Sequence, residues 1–183
     1  MGSLLIKKKL LPRYTVKDYE RWEGDWELVE GIPYALASPS FKHQRILGIL
    51  FFLWEGELEE QEKCKDCKLT FDTDFIVSED TVFRPDLALV CGPVEEKITK
   101  PPKLIVEVVS PSSKKMDEEI KPIYYAKAGV EYYILVYPNE EKVVLKTLNG
   151  ENYITETVEG ETQIKISEDC ELTLNPSEIW KRV

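Results

Sequence analysis

Apolar and polar positions recur with two different periods along the chain, and each change of period marks an element. In WELVEGIPYALAS, Trp26 and Leu28, then Ile32, Tyr34 and Leu36, fall on every second residue around Glu30-Gly31. Period two around a glycine-bearing turn predicts a β-hairpin. From SPSFKHQRIL the period lengthens. Ile46, Leu47, Leu50, Leu53 and Trp54 recur at helical spacing, so a helix is predicted through the acidic stretch EGELEEQEK, with Ser38 or Ser40 as its cap.

Short apolar runs follow. Phe71, Thr73, Phe75 and Val77 alternate with polar positions and predict a half-exposed strand, whereas Leu87 to Val90 is continuous and predicts a buried one. PVEEKITKPP, with proline at both ends, reads as a loop. KLIVEVVS is a strand, PSSKKMDEEIKPIYYAKAGV is helical and closed by Gly129, and EYYILVYP is again a strand. A strand, a helix and a strand in that order imply a right-handed crossover between parallel neighbours. KVVLKTLNGENYITETV, with Asn149-Gly150 as its turn, and TQIKISEDCELTL are hairpin-like, and NPSEIW is a capped final turn. The expectation is a single α/β domain over residues 1–183 with a mixed sheet.

Composition narrows the function classes. The longest apolar run, Ile46 to Trp54, is interrupted by Gly48 and falls well short of the ~18 residues of a membrane span. No basic stretch followed by an apolar core and a cleavage site opens the chain, so a cytoplasmic location and no membrane contact are expected. Lys and Arg number 24 against 34 Asp and Glu, a net charge of −10. This disfavours general coating of nucleic acid, which needs a basic face. It leaves room for a local basic groove from Lys7, Lys8, Lys9, Lys114 and Lys115, although such lysines are usually solvated surface. Of the four cysteines, Cys64 and Cys67 in CKDC have redox or zinc spacing, but there is no second close pair and the segment precedes a strand. A local thiol pair or a disulfide is the expected state.

Two carboxylates stand out. Glu107 interrupts the apolar run Leu104 to Val109, and strand alternation places it on one face with Ile105 and Val109. A buried carboxylate needs a metal, a cation or several N–H donors. Asp86 opens the LALV strand directly after Pro85, 21 residues before Glu107. That distance suits a strand, a loop and a neighbouring strand. Together the two could hold one hard cation such as Mg²⁺, which polarises phosphate and activates water. The plainer alternative is that Asp86 caps a turn and Glu107 pairs with a lysine.

RPDLALV followed by LIVEVVSPSS resembles the PD-(D/E)xK nuclease superfamily. The likeness is greatest to the Uma-type family of bacterial candidate restriction endonucleases, and it extends over TVKDYERWEGDWELVEG, SPSFKHQRIL and MDEEIKPIYYAKAGVEYYILVYP. The resemblance implies a restriction-endonuclease-like α/β (α+β) core, with a central mixed β-sheet flanked by helices and additional β-hairpins. It also implies a Mg²⁺- or Mn²⁺-dependent phosphodiesterase acting on nucleic acid, most often DNA, with a homodimer as one arrangement. Asp86 and Glu107 match the metal-binding pair. Val109 stands where the superfamily commonly has lysine. Lys121 matches a lysine of the next helix, where Asp117, Lys121 and Tyr125 are spaced by four. Pro122 disturbs that helix, and Lys103, Lys114 and Lys115 are the other candidates. Glu27 matches an acidic hairpin position, with Glu30 as its neighbour and solvent exposure as the plain alternative. His43 matches a histidine of the first helix. The competing expectation is an inactive nuclease fold used for binding or assembly.

Overall fold

The structure, a computed structural model, describes residues 11–93 and 95–183; Lys7, Lys8 and Lys9 of the candidate basic groove lie outside them. The chain runs through α1 (Val16–Tyr19), β1 (Trp26–Val29), β2 (Ile32–Ala35), α2 (Phe41–Glu60), β3 (Cys67–Phe71), β4 (Phe75–Ser78), β5 (Thr81–Phe83), β6 (Leu87–Cys91) and β7 (Leu104–Val108). A π-helical turn (Met116–Ile120) then leads directly into α3 (Lys121–Ala128). The remainder is β8 (Tyr132–Tyr137), β9 (Lys142–Asn149), β10 (Asn152–Thr157), β11 (Thr162–Ser167), β12 (Cys170–Leu174) and α4 (Pro176–Trp180).

Six strands form the central sheet in the order β10-β9-β8-β7-β6-β3. Among the described residues of this sheet, only β7 and β8 pair in parallel, across the turn and α3 as the strand–helix–strand order predicts. The other neighbours are antiparallel, so the sheet is mixed. Because side chains alternate faces, β7 sends Leu104, Val106 and Val108 to one core and Ile105 and Val109 to another. The first core is covered by Ile46, Leu47, Leu50, Trp54 and Leu58 of α2 and by the β11–β12 hairpin. The second is covered by α3, through Tyr125, and by Phe75 and Phe83 of the four-stranded sheet β2-β1-β5-β4. Glu107 belongs to this second face.

The predicted hairpins form. Glu30 and Gly31 turn β1 into β2 with φ of 49° and 76°, the left-handed pair that twisted hairpins favour. In the β9–β10 hairpin, Asn149 pairs with Asn152, so Gly150-Glu151 are the central residues, with Gly150 at φ 66°. Ser40, not Ser38, caps α2 by accepting from the His43 amide at 3.2 Å. The alternation of Phe71, Thr73, Phe75 and Val77 does not make one half-exposed strand. Asp72 turns the chain at φ 45°, β3 stays in the central sheet, and β4 crosses to the other sheet, where Phe75 is buried.

The two cysteines of CKDC do not pair with each other. Cys64 bonds to Cys170, and Cys67 bonds to Cys91. Cys64 ends a short 3₁₀ turn that faces the β11–β12 hairpin, whereas Cys67 begins β3 directly opposite Cys91. The two side chains are therefore committed to different neighbours.

Gly31 supports a backbone crossing. A Cβ there would meet the Tyr14 carbonyl oxygen at 3.0 Å, and that segment is fixed by Tyr14 N–H donating to Gly31 O at 2.8 Å. Gly129 has φ 93° but open space around it. Gly129→Ala is expected to cost about 1 kcal/mol and Gly31→Ala about 3 kcal/mol, read as urea midpoints at unchanged m-value.

Candidate active site

Proline shapes the first part of the site. Arg84-Pro85-Asp86 joins β5 to β6, and Pro85 is buried without an N–H to satisfy. β6 and β7 pair from Leu87↔Val106 onward. At Asp86 the side chain takes over from the backbone ladder: Oδ2 accepts from Val108 N–H at 2.7 Å. Asp86 N–H in turn points to Glu107 Oε2 at 3.4 Å. The two carboxylates singled out in the sequence thus meet on one side of the sheet. His43, in the first turn of α2, places Nε2 3.0 Å from Asp86 Oδ2.

Deeper lies a charged cluster. Lys121 Nζ is 2.9 Å from Glu107 Oε1, 3.0 Å from Glu27 Oε1 and 3.2 Å from Asp117 Oδ1, and all four side chains are at least nine-tenths buried. Tyr125 O–H donates to Glu107 Oε1 at 3.2 Å. Glu27 also accepts from Arg84 N–H at 3.0 Å. Arg84 is itself held by Asp74 at 2.8 Å and Asp25 at 2.7 Å. The sequence alternative of an exposed Glu27 is overturned: its residue is 1 % exposed. Period two assigns one dry face to a strand, but β1 lies between two cores, with Leu28 in one and Val29 in the other.

A π-helical turn stands directly before Pro122, and its hydrogen bonding serves the cluster. Lys121 N–H bonds back five residues to Met116 O. The next such bond would come from residue 122, which has no N–H, and the Asp117 carbonyl is left free. The buried Tyr133 O–H fills that vacancy at 2.8 Å. A wide turn of this kind is common at functional sites, and Asp117 and Lys121, four residues apart across it, face the same cleft. The other candidate lysines do not reach it. Lys103 pairs with Glu131, and Lys114 and Lys115 are exposed. Val109, in the superfamily's usual lysine position, is buried in the apolar wall. Tyr133, Arg84 and Asp74 were not marked by the sequence; Asp117 and Tyr125 were marked by their spacing alone.

The cleft above the cluster has a volume of about 480 Å³, and Glu27, His43, Asp86, Glu107 and Lys121 all line it. The Uma2 family, described as "Putative restriction endonuclease", matches residues 16–176. The chain belongs to the Uma2 family. No curated protein matches it. A similar solved structure is titled a "putative nuclease belonging to DUF820" from Anabaena variabilis ATCC 29413. Its TM-score is 0.76 at 15 % identity, covering 92 % of this chain and 98 % of that one. At that identity the likeness concerns the fold, a restriction-nuclease-like mixed α+β architecture. No helix among the described residues is long and apolar enough to cross a membrane.

Electrostatics in this Uma2 cleft are unbalanced. Burial pushes the Glu107 carboxyl well above its usual range; Lys121 opposes this, while Asp86, Asp117 and Glu27 add to it. Asp117 is raised for the same leading reason, again against Lys121. Burial alone would strip the proton from Lys121, but Glu107, Glu27 and Asp117 reverse the effect and hold it well above the ordinary lysine value. Burial also works against a charged His43, and the Asp86 contact with the charges of Asp86, Asp72 and Asp117 outweighs it, giving a raised pKa.

A divalent cation fits this chemistry. Among the described residues, Asp86 Oδ1 and Glu107 Oε2 are free of ion pairs, both are hard oxygen donors, and the cleft carries more carboxylates than cations. Among those residues no group of three His, Cys, Asp or Glu side chains is pre-assembled around one point. The fit is therefore that of an ion held by two carboxylates, with water and substrate completing its shell.

Lys121→Met leaves three buried carboxylates without their cation. It is expected to cost about 3–5 kcal/mol, part of which returns when Glu107→Gln is added, measured as a double-mutant cycle in urea. Tyr133→Phe is expected to cost about 1–2 kcal/mol, and less in a Pro122→Ala background, where a restored N–H can serve the Asp117 carbonyl.

Proposed function

We propose that this protein is a metal-dependent endonuclease that hydrolyses phosphodiester bonds of nucleic acid, with DNA as the substrate that the family's description favours. The observation that carries this reading is the convergence of Asp86 and Glu107 across β6 and β7, with Lys121 Nζ on the second of them. Asp86 and Glu107 would hold Mg²⁺ or Mn²⁺. When bound, such an ion supplies Lewis-acid polarisation of a phosphoryl oxygen and acidifies water.

The chain's own groups have distinct tasks. His43 and Val108 N–H fix one oxygen of Asp86, and the other would be available to a cation. Lys121 keeps its charge and is aimed at the cleft by Glu27 and Asp117, where it neutralises charge that grows on an attacked phosphate. Tyr125 and Lys121 together fix the orientation of the Glu107 carboxylate.

A second reading has one specific observation in its favour. Lys121 is already saturated by three carboxylates, as in a purely structural ion cluster, which suits an inactive fold used for binding or assembly. Calorimetry separates the two. The wild type is expected to bind Mn²⁺ at millimolar concentration or better, and Asp86→Ala to lose this binding. In a supercoiled-plasmid assay, Glu107→Gln is expected to lower metal-dependent nicking by about 10²-fold or more, and chelation to stop it. No heat with the metal, or equal nicking by wild type and Glu107→Gln, would leave the inactive module as the better account.

A further inference from the structure

The depth of the cleft bears on which form of nucleic acid can enter it. Its floor is nearly dry: Glu27 and Asp117 are 1 % exposed, Glu107 2 % and Lys121 4 %. Its rim, by contrast, is open to water. Ser38, Pro39 and Ser40 on one segment, and Pro111 and Ser112 on another, are exposed and line the same cavity. Both segments read Ser-Pro-Ser, at 38–40 and 110–112, and proline fixes its own φ. Hydrogen bonds brace them further. Ser40 accepts from the His43 amide. Ser110 N–H donates to Ser113 Oγ at 3.1 Å, and Ser113 N–H to Ser110 Oγ at 3.2 Å. A phosphate that is to meet Lys121 Nζ has to descend past this braced rim.

A base-paired duplex is ill-suited to that descent. Its phosphates lie on the outside of a rod whose persistence length is about 150 base pairs, so the neighbours of any one phosphate meet the rim first. An unpaired strand turns about its own backbone, and its bases swing aside. The cavity volume of about 480 Å³ is that of a pocket for one drug-sized ligand, roughly one or two nucleotides.

Charge points the same way. Among the described residues, six carboxylates line the cleft: Asp25, Glu27, Asp72, Asp86, Glu107 and Asp117. The permanent cations among its lining are Lys42, Arg84 and Lys121. Arg84 is committed to Asp25 and Asp74, and Lys121 to three acids. With all six carboxylates ionised, these cations and one divalent ion still leave the lining negative. A duplex brings one phosphate per ~1.7 Å of axis, and a single strand about half that density, so the unpaired strand is repelled less. From depth, bracing and charge together we infer that the substrate is unpaired DNA, a single strand or a locally melted segment, and that intact duplex is rejected. The inference rests on the nuclease reading of the cleft and narrows its substrate.

Two measurements on the full chain test this. In fluorescence anisotropy with Ca²⁺ in place of Mg²⁺, a labelled oligonucleotide is expected to bind at least about 10-fold tighter alone than annealed to its complement. In Mg²⁺ or Mn²⁺, cleavage is expected in the single strand and within the mismatched bubble of an otherwise paired duplex. Both are expected to be cut at least about 10-fold faster than the paired arms, and Glu107→Gln to remove the cuts. Duplex bound or cut as well as the single strand, with Glu107→Gln silent, overturns the inference and leaves the endonuclease reading standing. Cleavage of neither form, with the single strand still preferred in binding, sinks the endonuclease reading while the strand preference holds. Neither binding nor cleavage overturns both. Where binding is too weak to read, the cleavage ratio decides.

Discussion

The site depends on one buried lysine. Lys121 brings together Glu27 from the distant first hairpin, Glu107 from the middle of the central sheet and Asp117 from the π-helical turn just before it. At an effective dielectric of 20, each contact near 3 Å contributes about 5 kcal/mol of attraction, against a desolvation cost of several kcal/mol per ion. The balance is favourable only while the cation is present and the geometry is tight. Three carboxylates around one ammonium still leave an excess of negative charge, which is why burial and the neighbouring acids raise Glu107 and Asp117. A group of this kind is a costly way to hold two sheets together, and an economical way to keep a carboxylate and an ammonium ready beside a cleft.

Much of this arrangement could be read in the chain. A carboxylate inside KLIVEVVS and another after a strand-opening proline are conflicts between local pattern and burial, and such conflicts concentrate where function is stored. The family resemblance added Lys121, Glu27 and His43, and all three line the same cleft. What could not be read has specific causes. The burial of Glu27 depends on β1 having cores on both sides, which a two-period pattern cannot express. The break at Asp72 carries neither glycine nor proline. The partners of Cys64 and Cys67 lie 106 and 24 residues away, and spacing within CKDC says nothing of either. Pro122 announced a disturbed helix, but the answer to its missing N–H comes from Tyr133, on the next strand.

The acidic balance of the whole chain is consistent with such a cleft. A nucleic acid approaching a protein of net charge −10 gains little from long-range attraction, so affinity has to come from short-range contacts at the site. The cleft rim offers them as hydroxyls: Ser38, Ser40, Ser110, Ser112 and Ser113 line it beside Lys42. Hydroxyl and backbone donors bind phosphate without releasing many counterions, so binding of this type has a shallow salt dependence. Under the proposed function, charge neutralisation would be concentrated at the scissile group, supplied by Lys121 and by a cation that Asp86 and Glu107 would hold.

Helix α2 connects these properties mechanically. Its first turn, fixed by Ser40, holds His43 against Asp86. Its inner face forms a large part of one core, with Trp54 N–H donating to Thr173 O at 2.8 Å. Its outer face carries Phe52 between two glycines. A helix packed so fully on one side cannot rotate or slide without opening the core, because interiors are close-packed and move between discrete arrangements. The histidine at the cleft and the exposed Phe52 are therefore held in a constant relation.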